Sequence, residues 1–447
     1  MSGKRQHTAS SPWRAPILFA ALAALFIAEG TISNSLFTGS WNTALGILNM
    51  GLISAIMALG VNMQWGYAGL FNTGVVGFVA LGGLAPALIA MPAVPGAWAA
   101  GMPRLFAALV VGLVTLIAAI ALWRRMAAGT ARLLAVAALL IVGMAAYRWL
   151  FGPAVAAIEA NNPSGAGHIG GLGLPVLLSW PVGALFAAGA GWIVAKTALG
   201  LRSDYLAIAT LGIGEIIVAI LKNEDWLARG VKNVVGIPRP VPYEVDLQAD
   251  PAFIERAAGW GVDVTTASTI WVKLLYAGLF GAVLVALIVA LQLALNSPWG
   301  RMMRAIRDNE IAAGAMGKNV TGRHLQIFVL GAAVIGLAGA MMITLDGQMT
   351  PTTYNPLRYT FLIWVMVIVG GSGNNWGSVL GGILIWYLWI KVEPWGGALM
   401  QLITSGMAEG WLKSHLLNSA AHMRLLTMGL ILLVVLRFAP RGLLPER

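Results

Sequence analysis

The most polar helix-forming stretch of the chain is RMMRAIRDNEIAAGAMGKNV, at positions 301–320. Arg304 lies four residues before Asp308, and Arg307 lies three residues before Glu310. Residues at these spacings are neighbours on a helix surface, so both pairs can form ion pairs. A second face carries an apolar row at helical spacing, made of Met302, Ile306, Ala313, Met316 and Val320. Such a helix is either a solvated loop helix or a docking helix that inserts into a groove of a soluble partner.

Few polar side chains interrupt the apolar runs on either side of this stretch. Glu215 is the main acid within such a run, where an unpaired charge is costly, so it either serves function or forms a structural hydrogen bond between helices. Asn72 and Thr73 interrupt a Gly-rich run and either line a substrate path or bond across helices. We take Asn72, Thr73 and Glu215 as the candidate translocation path. Glu29 lies near a predicted helix end and is interpreted as interfacial.

The sequence lacks the residues that several kinds of catalysis and ligand binding require. The chain has no cysteine, which excludes disulfides and thiolate catalysis. A phosphate-binding loop needs Gly-Lys followed by Ser or Thr, but the two Gly-Lys pairs precede Arg5 and Asn319. The five histidines form no metal-ligand pattern. We therefore predict no catalytic residues, no cofactor and no metal, and interpret the chain as a non-enzyme.

Composition predicts the elements that hold these residues. The chain of 447 residues is 59% hydrophobic and 10% charged, with a mean hydropathy of +0.81. Apolar runs of about 20 residues recur along it, each long enough to cross the roughly 30 Å hydrocarbon core as a helix. We predict an all-α, polytopic transmembrane bundle of roughly 10–12 spans, with the polar helix at 301–320 on its cytoplasmic surface. Candidate spans lie near 17–37, 42–62, 66–90, 104–123, 132–150, 174–195, 205–222, 270–295, 326–346, 359–370, 377–392 and 423–437.

Two features of these spans bear on packing and on backbone. Ala332, Gly336 and Ala340 follow the small-xxx-small spacing that permits close helix contact. The Gly-rich part of 66–90 is either helical or irregular, and the segments that flank GGSGNNWG, at 370–377, could form one broken element. We therefore expect close packing of the span at 326–346, and both backbone alternatives stay open at the two Gly-rich places.

Charge predicts the orientation. Alternate loops hold 16 of the 28 Lys and Arg residues but only four acids. This excess of basic residues favours a cytoplasmic location for these loops, and it explains the positive net charge without nucleic-acid binding. These loops are 1–16, 124–132, 196–204, 296–325, 371–376 and 437–447. The domain prediction is a cytoplasmic tail at 1–16, a transmembrane domain at 17–437 and a cytoplasmic tail at 438–447. Within the transmembrane domain, 296–325 is a cytoplasmic loop, and the proline-rich segment 223–269 is an irregular loop on the periplasmic face.

The stretch SPWGRMMRAIRDNEIAAGAMGKNVTGRHLQIFVLGAAVIGLAGAM, at 297–341, resembles the cytoplasmic loop and following helix of permeases of branched-chain amino acid ABC importers. In that family the loop is the coupling helix, which seats in the ATPase subunit. The residues that match its pattern are Arg304, Ala305, Arg307, Asp308, Glu310, Ala312, Ala313, Gly317 and Asn319.

Other stretches resemble the same family. They are WGYAGLFNTGVVGFVALGG at 65–83, YLAIATLGIGEII at 205–217, GVKNVVGIP at 230–238, VIVGGSGNNWGSVLGG at 367–382 and RFAPRGLLPER at 437–447. The resemblance covers roughly 42–90 and 200–445. Residues 91–173 form a longer segment than the family leads us to expect, with room for an extra helix pair.

The resemblance implies an inner-membrane permease subunit that forms the path for branched-chain or related hydrophobic amino acids, with both termini cytoplasmic. The same resemblance implies that the transmembrane domain at 17–437 is a permease domain and that 296–325 is its coupling loop. Its implied partners are ABC ATPase subunits, a second related permease subunit, a periplasmic or extracellular substrate-binding protein and membrane lipid, with no nucleic acid. A permease for urea or short amides is the nearest alternative. An ion-coupled carrier is a different class, and it would need more intramembrane charges than Glu215 supplies.

Overall fold

The computed structural model describes residues 13–162, 167–408 and 410–446, and the described part is almost entirely helical. Most of the predicted tail at 1–16, together with Arg447, lies outside the described residues. In chain order the α-helices are α1 (Arg14–Thr31), α2 (Trp41–Gln64), α3 (Val75–Ile89), α4 (Pro95–Arg125), α5 (Thr130–Glu159), α6 (Ser179–Ala198), α7 (Ser203–Asn223), α8 (Asp225–Ala228), α9 (Glu244–Ala249), α10 (Pro251–Gly259), α11 (Val264–Asn296), α12 (Pro298–Asp308), α13 (Glu310–Ala315), α14 (Val320–Asp346), α15 (Leu362–Gly370), α16 (Asn375–Thr404), α17 (Trp411–Asn418) and α18 (Met423–Phe438).

Short elements complete the described chain. A π-helical turn at Leu357–Phe361 leads into α15, and a 3₁₀ turn at Val176–Leu178 leads into α6. The two-residue strands β1 (Val234–Val235) and β2 (Gln348–Met349) pair antiparallel. The predicted all-α class is therefore confirmed. The segment 223–269 is more ordered than predicted, since it contains α8, β1, α9 and α10.

Eight helices of the described residues are long and apolar enough to span a membrane, or nine if the bent pair α17–α18 counts as one span. The eight are α1, α2, α4, α5, α6 with its leading turn, α7, α11 and α14. The other predicted spans are also helical, but α3 has only 15 residues and α15 with its π turn is similarly short. At 1.5 Å per residue, α3 covers about 22 Å, less than the hydrocarbon core. The polytopic helical bundle is thus confirmed.

The core is built around α14, which packs against α2, α3 and α6. The small residues predicted to permit close packing are buried in it, with Ala332 and Ala340 fully inaccessible. A Cβ atom at Gly336 would lie 2.6 Å from the carbonyl oxygen of Gly183 and 2.3 Å from Cβ of Ala187. Contact this close requires glycine, because any side chain would push the helix axes apart.

The helices α4 and α5 form a peripheral pair that fills the long segment at 91–173. They pack mainly against each other, and their small core of Ala97, Leu105, Ala154 and Ile158 is separate from the main one. The pair meets the rest of the protein where α4 begins and α5 ends. There the Trp98 Nε1 donates to the Ile169 carbonyl oxygen at 2.7 Å, and Phe151 packs edge-on against Trp226.

Both Gly-rich places contain irregular backbone, which decides between the alternatives left open for them. Residues 69–74 run without helix between α2 and α3. At GGSGNNWG the chain turns sharply between α15 and α16, with positive φ at Gly371 and Gly373. The two helices then run side by side, so close that a Cβ at Gly381 would overlap the Met366 carbonyl oxygen. The segments that flank the turn are a tight helical hairpin.

Candidate functional site

The polar stretch at 301–320 is two short helices instead of the single helix predicted. Asn309 has extended backbone, with φ −157° and ψ 97°, and it separates α12 from α13. Its Oδ1 accepts a hydrogen bond from the Ala312 amide at 2.9 Å. Asparagine is a favoured N-cap because its side chain satisfies a free amide of the first turn. The sequence feature that could have predicted this break is Asn309 followed by the acidic residue Glu310.

Neither predicted ion pair is present among the described residues, whether within α12 (Arg304 with Asp308) or across the break (Arg307 with Glu310). The Arg304 guanidinium donates to the Leu295 carbonyl oxygen at 3.2 Å. Arg307 pairs with its neighbour Asp308 at 3.3 Å and with Glu446 at 2.9 Å. Both arginines therefore reach back toward the bundle, to the end of α11 and to the C-terminal segment.

The predicted apolar row is only partly buried, since Ile306 and Ala313 are buried, Met302 and Val320 are half-buried and Met316 is exposed. Met303 and Ile306 of α12 are buried, and Ala313 of α13 is buried within the chain itself. Ile311 and Met316, in contrast, are 86% and 78% exposed. The α13 outer face, which we define as Ile311, Ala312 and Met316, is thus an apolar surface that the described part of the chain leaves uncovered.

The residues matched to the coupling pattern do not share one environment. Arg304 and Arg307 are half-buried and Ala313 is buried. The others are exposed, namely Ala305, Asp308, Glu310, Ala312, Gly317 and Asn319. Only the exposed group can meet a partner directly in this conformation.

Arg307 joins the polar helices to the bundle. Besides Glu446, its guanidinium donates to the carbonyl oxygen of Gly66, just after α2. The Gly373 amide donates to Asn62 Oδ1 at 2.8 Å, which ties the α15–α16 turn to the same place. Sequence reasoning missed this arrangement, although Gly66, Gly373 and Glu446 all lie in stretches that carried the resemblance. We call this side of the molecule the Arg307 end.

A buried polar network continues from this point. The Tyr67 hydroxyl donates to Asn375 Oδ1 at 3.1 Å, and the Asn62 Nδ2 donates to the same oxygen at 3.2 Å. Burial raises the pKa of Tyr67, so its phenol stays protonated and keeps its role as donor. The ends of α2, α12, α16 and the C-terminal segment are therefore fixed together by polar contacts.

Asn72 and Thr73 bond across helices, the alternative to lining a path. Asn72 is fully buried, where its Nδ2 donates to Gln64 Oε1 at 2.8 Å and its Oδ1 accepts from the Gly74 amide at 2.9 Å. The Thr73 hydroxyl donates to the Ala207 carbonyl oxygen on α7. These bonds hold the irregular segment 69–74 between α2 and α7.

Glu215 lies on the outward face of α7. The opposite face packs against α3, where a Cβ at Gly214 would lie 3.0 Å from the Cα of Gly74. Glu215 is exposed and has no hydrogen-bond partner among the described residues. The described residues therefore contain no hydrogen bond that would support the structural interpretation of Glu215.

Glu29 lies near the end of α1, as predicted, but its side chain belongs to a buried ion pair. It is fully inaccessible, and its Oε1 accepts from Lys391 Nζ at 3.0 Å and from the Thr38 hydroxyl at 2.6 Å. Its Oε2 accepts from the Tyr387 hydroxyl at 2.9 Å. The carboxylate is thus fully hydrogen-bonded and ties α1 to α16.

Comparison with known families gives a match over most of the chain. The family model described as "Branched-chain amino acid transport system / permease component" matches residues 126–436. No solved structure matches the chain.

Individual curated proteins that are similar to this chain point to the same family. The high-affinity branched-chain amino acid transport system permease protein LivM of Salmonella typhimurium is 30% identical over 225 residues, which are 49% of this chain and 51% of that relative. The probable branched-chain amino acid transport permease protein LivM of Methanocaldococcus jannaschii is 25% identical over 303 residues, 67% of this chain and 76% of that relative. The fructose import permease protein FrcC of Rhizobium meliloti is 30% identical over 108 residues, 23% of this chain and 30% of that relative. The chain spans about half the length of the first curated relatives it matches.

Proposed function

Because the chain belongs to the family of permease components of branched-chain amino acid transport systems, we propose that it is a membrane subunit of an ABC importer. The family match over 126–436 is the observation that carries this proposal. Its substrates are branched-chain or related hydrophobic amino acids, since the LivM relatives carry that name. Those names favour amino acids over urea or short amides. The chain is a multi-pass inner-membrane protein, and ATP is hydrolysed by partner subunits.

The α13 outer face is the surface that docks in an ATPase groove. Ile311 and Met316 are strongly exposed on an otherwise polar pair of helices, and exposed apolar residues rimmed by charge are typical of interaction sites. Asp308 and Glu310 supply charged rim contacts, with Ala305, Ala312, Gly317 and Asn319 beside them. Behind this face lie Arg304, Arg307 and Ala313. These residues fix α12 and α13 to the bundle.

Arg307 makes the docked helices part of a rigid unit. Its bonds to the Gly66 carbonyl oxygen and Glu446 connect α12 to α2 and to the C-terminal segment. Movement of the ATPases then displaces these elements together and switches the bundle between outward-open and inward-open states. ATP drives the switch because the two states bind it with different affinity.

The outward face of α7 meets a second permease subunit. An unpaired carboxylate on a spanning helix is costly against lipid, so Glu215 requires protein or a polar path in front of it. We place the translocation path between α7 and the related subunit, with Glu215 on its wall. Asn72 and Thr73 support that wall, because Asn72 bonds to Gln64 of α2 and Thr73 bonds to Ala207 and Thr210 of α7. A substrate-binding protein delivers substrate from the other side of the membrane.

The docking face is tested by Ile311→Asp, with Val245→Asp as the matched control. Val245 is 72% exposed on α9, which packs beside the opposite end of α11. We expect Ile311→Asp to abolish co-purification of the ATPase and ATP-dependent leucine uptake, while membrane insertion and the control stay normal. Loss of an exposed apolar hot spot typically costs 2 kcal/mol or more, roughly thirtyfold in affinity. Normal uptake with a normal ATPase complex in Ile311→Asp would contradict the proposal.

A further inference from the structure

An open cleft of about 620 Å³ lies at the Arg307 end. Its walls come from the start of α1, the end of α11, α12, the α15–α16 turn and the C-terminal segment. The residues that matter for its chemistry are Arg14, Phe19, Leu295, Arg304, Asn375 and Glu446. We call it the Arg14 cleft.

The balance of charge in the cleft is positive. Arg14 has no hydrogen-bond or ion-pair partner among the described residues, and Arg304 uses one donor on the Leu295 carbonyl oxygen. Glu446 also lines the cleft, but Arg307 neutralises it at 2.9 Å. Two guanidinium groups with free donors therefore face one carboxylate that is already paired. Guanidinium groups bind phosphate and carboxylate oxygens through paired hydrogen bonds.

A buried amide adds an unused donor. Asn375 is 1% exposed, and its Nδ2 has no hydrogen-bond partner among the described residues. Its Oδ1 is occupied by Asn62 and Tyr67, which fixes the amide in place. A buried donor without a partner is uncommon and costly, so a ligand acceptor at this position accounts for it. The first turn of α1 also lies here, without an acidic residue, and helix N-termini attract anions.

The remaining wall of the cleft is apolar and reaches the bundle surface. Phe19 packs edge-on against Trp376 with 5.9 Å between ring centroids, and Trp376 is 47% exposed. Exposed tryptophan at the end of a spanning bundle is typical of the membrane–water interface. Ile17 and Ile27 on the outward side of α1, 61% and 55% exposed, continue the apolar surface along the bundle. An occupant with a charged head and hydrocarbon chains fits both parts of this site.

We propose that the Arg14 cleft binds the phosphate group of an anionic phospholipid. The phosphate is held by Arg14, Arg304 and the Asn375 amide, and the acyl chains follow α1 along the bundle. Basic pockets between helix ends are known to recognise such head groups. Because Arg304 belongs to α12, the bound lipid stabilises the seat of the polar helices in the bundle.

The test is a binding measurement on the purified, delipidated full-length chain. Short-chain phosphatidylglycerol, phosphatidylcholine of the same acyl length and inorganic phosphate are titrated separately, and apparent Kd is derived from the rise in melting temperature. We expect phosphatidylglycerol to bind most tightly. Arg14→Gln should weaken it about tenfold, since one charge-assisted contact is lost. Arg125→Gln, an exposed arginine on α4, is the matched control and should bind as the wild type does.

Three results would overturn the proposal. The first is equal affinity for the two lipids, which would show that the net negative charge of the head group is not recognised. The second is unchanged phosphatidylglycerol affinity in Arg14→Gln, whose fold is not at risk because Arg14 is exposed and unpaired among the described residues. The third is equal stabilisation by inorganic phosphate alone, which would assign the cleft to a soluble anion.

Discussion

At the scale of single residues, the Glu29–Lys391 pair shows what sequence reasoning could not reach. Glu29 alone looks like an acid at a helix end, because its partner lies 362 residues further along the chain. Burial of either charge becomes tolerable only when the other residue, Thr38 and Tyr387 arrive together. No local spacing rule carries that information.

This pair gives a prediction for stability. Lys391→Met leaves the Glu29 carboxylate buried without its cation, and loss of one partner of a buried pair typically costs about 3–5 kcal/mol. We expect a large fall in the melting temperature of the detergent-solubilised protein. The double variant Glu29→Gln with Lys391→Met removes both charges and should regain most of the loss. A double variant no more stable than Lys391→Met would show that the charge pairing is not the cause.

At the scale of elements, packing was predictable where it depends on residue size. The spacing of Ala332, Gly336 and Ala340 correctly indicated the buried face of α14. The break in the polar helix was harder to predict, because the N-cap at Asn309 starts a new helix where the sequence pattern favoured a continuous one. The break then changes the direction of the helix, so Met316 is exposed although it belongs to the predicted apolar row. A pattern that is read across a hidden break assigns residues beyond the break to the wrong face.

Helix packing around α14 is tested by Gly336→Ala. The added methyl group would lie 2.3 Å from Cβ of Ala187, and overpacking of this kind typically costs about 1–3 kcal/mol. Gly281→Ala in α11 is the matched control, because a Cβ there meets nothing within 4 Å. We expect a lower melting temperature for Gly336→Ala and an unchanged or slightly higher one for Gly281→Ala. Equal melting temperatures would mean that α14 has room to adjust.

At the scale of the whole molecule, the structure gathers segments that charge alone had assigned to one side. Arg14, Asn296, Arg304, Asn374 and Glu446 come from four predicted cytoplasmic loops, and all of them line one cleft. The helices themselves followed from hydropathy. Which distant loops meet, and through which atoms, depends on tertiary contacts that no single segment encodes.

The orientation can be tested because the chain has no cysteine. We predict that Lys318→Cys, near the α13 outer face, is protected from an impermeant thiol reagent in intact cells and is labelled after permeabilisation. Val245→Cys on α9 should be labelled in intact cells, since α9 lies toward the opposite side. The reverse pattern of labelling would invert the topology and place the proposed docking face outside the cell.

The peripheral position of the α4–α5 pair has a mechanical consequence. The two helices are held to the main body chiefly where α4 begins and α5 ends, so only one end of the pair is anchored and the other end is free. The 31 residues of α4 measure about 46 Å at 1.5 Å per residue, well beyond a hydrocarbon core of roughly 30 Å. The apolar stretch of α4 between Arg104 and Arg124 is roughly 28 Å long at 1.5 Å per residue, close to the thickness of the hydrocarbon core. Arg124, Arg125 and Arg132 therefore lie in the head-group layer at the free end of the pair, so that end is held by lipid while the other end is held by the main body.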